Sequence, residues 1–148
     1  MYGYISAVLA DKGSDVYTTG PSVTVRQAAR EMNLHGVGAL LVMSKDRPVG
    51  ILTERDILRR VVDPGLTPDA TRVSAVMTHD ILAIAPTMAV TDAMDLMTRH
   101  RCRHLPVLEH GRVTGIVSIG DLLRWVGMHQ EAEIQTLTDY IRGGQTVA

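Results

Sequence analysis

The chain has 148 residues, 45% hydrophobic and 21% charged, with a net charge of −1 at pH 7. Such figures describe a globular chain, and the balanced charge argues against a basic field that would recruit nucleic acid or an anionic membrane. Phe is absent, aromatics total 3% and Cys102 is the single cysteine, which leaves few stacking platforms for bases and excludes an internal disulfide framework or a cysteine metal cluster.

In chain order, residues 5–10 predict a short helical turn and residues 15–18 a short apolar strand. Pro21 then introduces a helix in which Ala28, Ala29 and Met32 recur at three- and four-residue spacing, so that one face is buried. An apolar strand over 39–43, a polar turn at 44–47 and a second strand over 48–52 predict a hairpin. A closing helix is predicted from about 54 to 62, and Pro64, Gly65 and Pro68 mark a linker. The same signals then return: a turn at 73–77, a strand at 81–84, a helix carrying Ala93, Met94 and Met97, strands at 104–108 and 113–117, and a helix over 119–126. In both copies a nearby Thr offers the N-cap of the Ala-containing helix. Beyond the second copy, Met128, Ile134, Leu137 and Ile141 would share one face of a separate tail helix.

The return is also literal. Gly-Ile-Leu-Thr-Glu-Arg-Asp at 50–56 comes back as Gly-Ile-Val-Ser-Ile-Gly-Asp at 115–121, 65 positions on, and Val25, Ala28, Met32 and Val42 match Val90, Ala93, Met97 and Val107. Upstream, Ile5 to Val8 match Val73 to Val76 at an offset of 68, the three extra residues falling in the loop at 11–15. A long period of this kind is one folding unit duplicated. The expectation is a mixed α/β fold of two β-α-β-β-α repeats related by a pseudo-twofold and packed through their sheets, divided as 1–68, 69–127 and a helical tail over 128–148. The apolar faces at Ala28, Met32, Met94 and Met97 are too many for one small core, which predicts a homodimer. No apolar segment is long enough to span a bilayer, and the N-terminus lacks a signal pattern, so a cytoplasmic chain is expected.

Two elements carry chemistry. Thr53-x-x-Asp56, repeated as Ser118-x-x-Asp121, stands where a strand gives way to a helix. The spacing fits a capping box; it equally fits a site where a helix N-terminus and hydroxyl meet phosphate while the carboxylate accepts ribose hydroxyls. The second element is His100-Arg101-Cys102-Arg103-His104 at the start of a strand, where the first copy has Gly36, Gly38 and Ala39. An arginine cluster there is either solvated charge or an anion site. The six histidines show no metal-ligand spacing, and no nucleophile–base pair, Walker loop or dinucleotide fingerprint is present, so neither a metal nor an enzyme activity is expected.

These motifs, with Arg-His-Leu-Pro-Val at 103–107, resemble cystathionine β-synthase (CBS) domains over about residues 5–127, and the pair resembles a Bateman module of the small stand-alone type. The resemblance implies that an adenosine ligand, AMP, ADP or ATP and sometimes NAD(H) or S-adenosylmethionine, binds between the repeats as a regulatory signal, in a homodimer that acts on an unidentified protein partner; no cofactor is required. It further implies a first cleft built from Thr53, Asp56, the backbone of Ile81, Leu82 and Ala83, and the side chains of Arg103 and His104. A second would take Ser118 and Asp121 with the backbone near Tyr17, Thr18, Gly38, Ala39 and Leu40. Because Gly38 and Ala39 replace Arg103 and His104, phosphate recognition is expected to be concentrated in the first cleft, with little preference for AMP over adenosine in the second. A purely structural dimerisation module is the competing expectation.

Overall fold

The computed structural model describes residues 2–146; Met1 at one end of the expected first unit, and Val147 and Ala148 at the end of the expected tail, lie outside the described residues. The elements run α1 (Ile5–Lys12), β1 (Thr18–Thr19), α2 (Val25–His35), β2 (Ala39–Ser44), β3 (Arg47–Thr53), α3 (Glu54–Ile57), α4 (Val73–Val76), α5 (Val90–His100), β4 (His104–Glu109), β5 (Arg112–Ser118) and α6 (Ile119–Thr146). The result is the expected mixed α/β architecture of two repeated units.

The duplication extends to fine detail. Both hairpins are antiparallel, with the register shifting at Val42/Met43 in one and at Val107/Leu108 in the other, 65 positions apart. Both turn through two residues of positive φ, Lys45-Asp46 and His110-Gly111, which matches the right-handed twist of the strands they join. Alternation along β2 sends Leu40 and Val42 into a core with Val25, Ala28, Met32 and Leu52, and along β4 sends Leu105 and Val107 into a second core with Val90, Ala93, Met97 and Val117. The opposite faces meet between the units: Ile51 and Pro106 border one cleft, Ala39 and Ile116 the other.

The repeats exchange their first helices. Ile5, Val8 and Leu9 of α1 pack in the core of the second repeat, and Val73 and Val76 of α4, with Met77 just after it, in that of the first. Backbone hydrogen bonds fix both dockings symmetrically: Ile5 N–H to Met88 O and Ser6 N–H to Pro86 O, against Val73 N–H to Val23 O and Ser74 N–H to Pro21 O. This close docking explains the repeated glycines. A Cβ on Gly50 would stand 2.6 Å from Met77 Sδ, and one on Gly115 would stand 2.7 Å from Leu9 Cδ2.

Several local expectations are corrected. The strands at 15–18 and 81–84 shrink to the pair Thr18–Thr19 and a single parallel bridge from Ile84 to Val107, because only those residues lie alongside β2 and β4. Thr24 forms a full capping box with Gln27, but its counterpart is Ala89, which has no oxygen to offer and makes no side-chain cap. The first closing helix is α3 followed by one π-helical turn, Leu58–Val62. The second runs without a break into the tail, so α6 is one helix and no separate tail helix forms. Ala28, Met32 and Met97 are buried within the chain, and Met94 packs partly buried against the same core as Met97. Most of this apolar surface is therefore satisfied within the chain. The exposed apolar side chains among the described residues include Leu34, Leu58, Val62 and Leu66 and, along α6, Leu123, Met128, Ile134, Leu137, Tyr140 and Ile141.

Candidate functional site

Exchange of α1 and α4 brings the end of each hairpin beside the other repeat and opens two clefts. The first, about 250 Å³, takes Thr53, Asp56, Ile81, Leu82, Arg103 and His104 together. The second, about 350 Å³, takes Ser118, Asp121, Tyr17, Gly38 and Ala39. These sizes stand near the lower end for small-molecule sites. Of the residues whose backbone was expected at the clefts, Thr18, Leu40 and Ala83 are not among the lining residues; Leu40 is wholly inside a core, and Thr18 and Ala83 are exposed. His104, assigned by sequence to the first cleft, borders both.

Both Thr/Ser-x-x-Asp elements are complete capping boxes. Asp56 N–H donates to Thr53 Oγ1 at 3.1 Å and Thr53 N–H to Asp56 Oδ2 at 3.0 Å. Asp121 N–H donates to Ser118 Oγ at 3.1 Å and Ser118 N–H to Asp121 Oδ2 at 2.8 Å. A cap and a ligand acceptor need the same placement, so the geometry accommodates both roles.

The two carboxylates differ in what else they hold. Asp56, only 8% exposed, also accepts from the Thr78 hydroxyl at 3.2 Å and has Arg60 Nε 4.0 Å away. Asp121 sits at the cleft surface and pairs with Lys12 Nζ at 2.8 Å. Burial opposes its ionisation, but the Lys12 hydrogen bond and charge and the Ser118 bonds outweigh this and hold it below the ordinary carboxylate range. Lys12 gives the second cleft a cation that the comparison of Gly38 and Ala39 with Arg103 and His104 leaves out. It ends α1, and only the docking of α1 on the other repeat reveals its partner.

Arginines and histidine rings converge on the first cleft. Arg103 and His104 are joined there by Arg55, His100 and Arg101. Arg55 Nη1 donates to the Arg101 carbonyl at 3.5 Å, and Arg101 closes α5 in the left-handed conformation, φ 52°, where the first repeat has Gly36 at φ 64°. Non-glycine residues held there are uncommon and cluster at functional sites. The alignment of Arg101 with a helix-ending glycine was the signal available in the sequence. Burial pushes the His104 imidazole below its usual 6.5; Glu54 and Asp121 oppose that, while Lys12 and Arg103 reinforce it. Cys102, also on this wall, has its thiol pushed up by burial and so stays protonated. In the second cleft the Tyr17 ring stacks on His35 with centroids 3.8 Å apart. Among the described residues no group of three or more His, Cys, Asp or Glu is placed to hold a metal ion, and no helix is long and apolar enough to cross a membrane.

Comparison with known proteins agrees with this duplicated geometry. The CBS-domain family model matches residues 10–63 and again 73–127. A mitochondrial CBS domain-containing protein of Arabidopsis thaliana is 40% identical over 126 residues, covering 82% of this chain and 61% of its own length. The chain thus spans under two thirds of that relative. The solved structure of a protein with CBS domains from Burkholderia ambifaria MC40-6 superposes with a TM-score of 0.81 at 40% identity, covering 83% of this chain and 93% of that one. A CBS-domain protein of Pyrobaculum aerophilum, solved in complex with AMP, gives a TM-score of 0.71 at 29% identity and covers 80% of this chain and 88% of that one.

Proposed function

The chain belongs to the CBS-domain family, with two copies in tandem, and from that premise we propose that it is a non-enzymatic regulatory module that binds an adenine nucleotide, foremost AMP, between its repeats. The observation that carries the reading is the make-up of each cleft: a hydroxyl-and-carboxylate cap from one repeat faces cations that other segments supply. The carboxylate suits the ribose diol, the helix N-terminus and the cations suit phosphate, and the apolar walls, Ile51 and Pro106 in the first cleft, suit the adenine face. The AMP complex of the Pyrobaculum relative supports the same ligand class. NAD(H) and S-adenosylmethionine carry the same adenosine and are sensed ligands in this reading.

The signal would pass through a homodimer to a protein partner. Support comes from the apolar side chains on α2, along the π turn and along α6 that this chain does not cover, Leu34, Leu58, Val62, Ile134 and Leu137 among them. The complete capping boxes are equally compatible with the competing reading, a structural dimerisation module with empty clefts. Thermal unfolding with and without ligand separates the two. A ligand at a hundred times its Kd stabilises the folded state by about 2.7 kcal/mol. We expect AMP to raise Tm in a concentration-dependent way, and light scattering to give a dimer at micromolar concentration. No shift with AMP, ATP, NAD or S-adenosylmethionine, with the dimer retained, would leave the structural reading standing.

A further inference from the structure

The two clefts treat their carboxylates differently, and the difference bears on ligand choice. In the second cleft Lys12 Nζ donates to Asp121 Oδ2 and to the Ile116 carbonyl, both at 2.8 Å. The same Oδ2 takes the Ser118 N–H. Two donors fill the lone pairs of that oxygen. The Ser118 side chain also hydrogen-bonds this carboxylate. A single ligand hydroxyl can use Oδ1, whereas a vicinal diol bound one hydroxyl to each carboxylate oxygen displaces Lys12. The pair is placed to exchange: its side chains are 26% and 27% exposed, at the cleft surface. In the first cleft the nearest cation to Asp56 is Arg60, 4.0 Å away and outside the cleft lining, so no such exchange arises there.

A displaced ammonium needs another counter-charge. A nucleoside brings none; a nucleotide brings its phosphate. We propose that Lys12 makes the second cleft selective for a nucleoside phosphate over the nucleoside by ion exchange, the ribose diol replacing Lys12 on Asp121 while the phosphate takes the ammonium. This rests on the adenine-nucleotide reading above and reverses the expectation, drawn from Gly38 and Ala39, that the second cleft is indifferent to phosphate. Asp15 on the same wall competes for the released ammonium and His104 adds a second donor, so the preference is moderate. A charged hydrogen bond to phosphate against none corresponds to about tenfold.

Isoleucine methyl resonances read the clefts separately. Ile116 borders only the second, and Ile51 and Ile81 only the first. Adenosine and AMP are titrated against the full chain, Lys12→Met and Lys12→Arg. At Ile116 the natural protein should prefer AMP by about tenfold. Lys12→Met should move the two affinities oppositely, adenosine tighter because Asp121 is unblocked and AMP weaker because its cation is gone, with the preference lost. Lys12→Arg should restore it. Thermal melting and an unchanged response at Ile51 and Ile81 certify that the variants fold. Equal affinities in the natural protein, or Lys12→Met shifting both ligands in the same direction, overturn the exchange while leaving the nucleotide reading intact. No response at any of the three methyls to either ligand overturns that reading together with this inference.

Discussion

Arg101→Gly should stabilise the protein while crippling its first cleft. Arg101 holds φ 52° and ψ 39° at the end of α5, a conformation that costs a non-glycine residue roughly 1–2 kcal/mol. Glycine removes that strain but gives the unfolded chain about 0.5–1 kcal/mol more entropy. The difference is a net stabilisation of about 0.5–1 kcal/mol, or about 1–4 °C in Tm for a chain of this size. The local backbone bonds survive, because the Arg101 N–H to Met97 O bond and the Arg55 bond to the Arg101 carbonyl involve only main-chain atoms of residue 101. The side chain, however, is part of the cationic wall of the cleft. Its loss should weaken AMP binding by about 1.5–3 kcal/mol, the range for a charge-assisted hydrogen bond. Differential scanning calorimetry and isothermal titration calorimetry with AMP on the same preparations measure both quantities. A lowered Tm would show that the arginine stabilises the turn and is no strained residue held for binding. Unchanged AMP affinity would show that its guanidinium does not face the phosphate.

Three further outcomes are expected. Gly50→Ala should destabilise by about 1–3 kcal/mol in urea titration, since its Cβ would approach the Thr78 carbonyl oxygen to 2.9 Å as well as Met77 Sδ; a change below about 0.5 kcal/mol would mean that the α4 docking yields easily. Asp56→Ala should cost about 2–4 kcal/mol, more than an ordinary cap, because it also orphans the Thr78 hydroxyl; a loss near 1 kcal/mol would reduce Asp56 to a simple cap. His104 is held below 6.5 by burial, so the folded state takes up its proton less readily than the unfolded one. Its stabilisation is fully present above the unfolded value and is lost as pH falls through the folded value. His104→Asn should therefore lose less stability than the natural protein between pH 7.5 and 5, and identical slopes would exclude the ring as the titrating group.

Much of the architecture was legible because it is written in local periodicity. Ala28, Met32, Ala93 and Met97 at helical spacing, the apolar runs through Leu40 and Leu105, and the turn residues between hairpin strands each report an element a few residues long. The 65-residue offset then guarantees that the second copy repeats the first, down to the displaced register at Val42 and Val107. The cap motifs were equally local, since Thr53 and Asp56 meet across three residues.

What lay beyond the sequence depends on contacts between distant residues. Periodicity shows that the faces of Ile5–Lys12 and Val73–Val76 must be buried, but an amphipathic face does not name its partner; the packing assigns each helix to the other repeat. That exchange carries Lys12 to Asp121, 109 positions away, and gives the second cleft a cation that no comparison of Gly38 and Ala39 with Arg103 and His104 could reveal. It is also why His104 borders both clefts. The same limit explains the dimer argument: counting apolar residues could not tell that Met32 and Met97 are satisfied within one chain, while Leu34, Leu58 and Ile134 are not. The sequence by itself determined the repeated elements and their chemistry, because those arise from neighbours along the chain. The tertiary structure alone decided which charges meet and which apolar surfaces stay exposed, because both are set by packing free energy summed over the whole molecule.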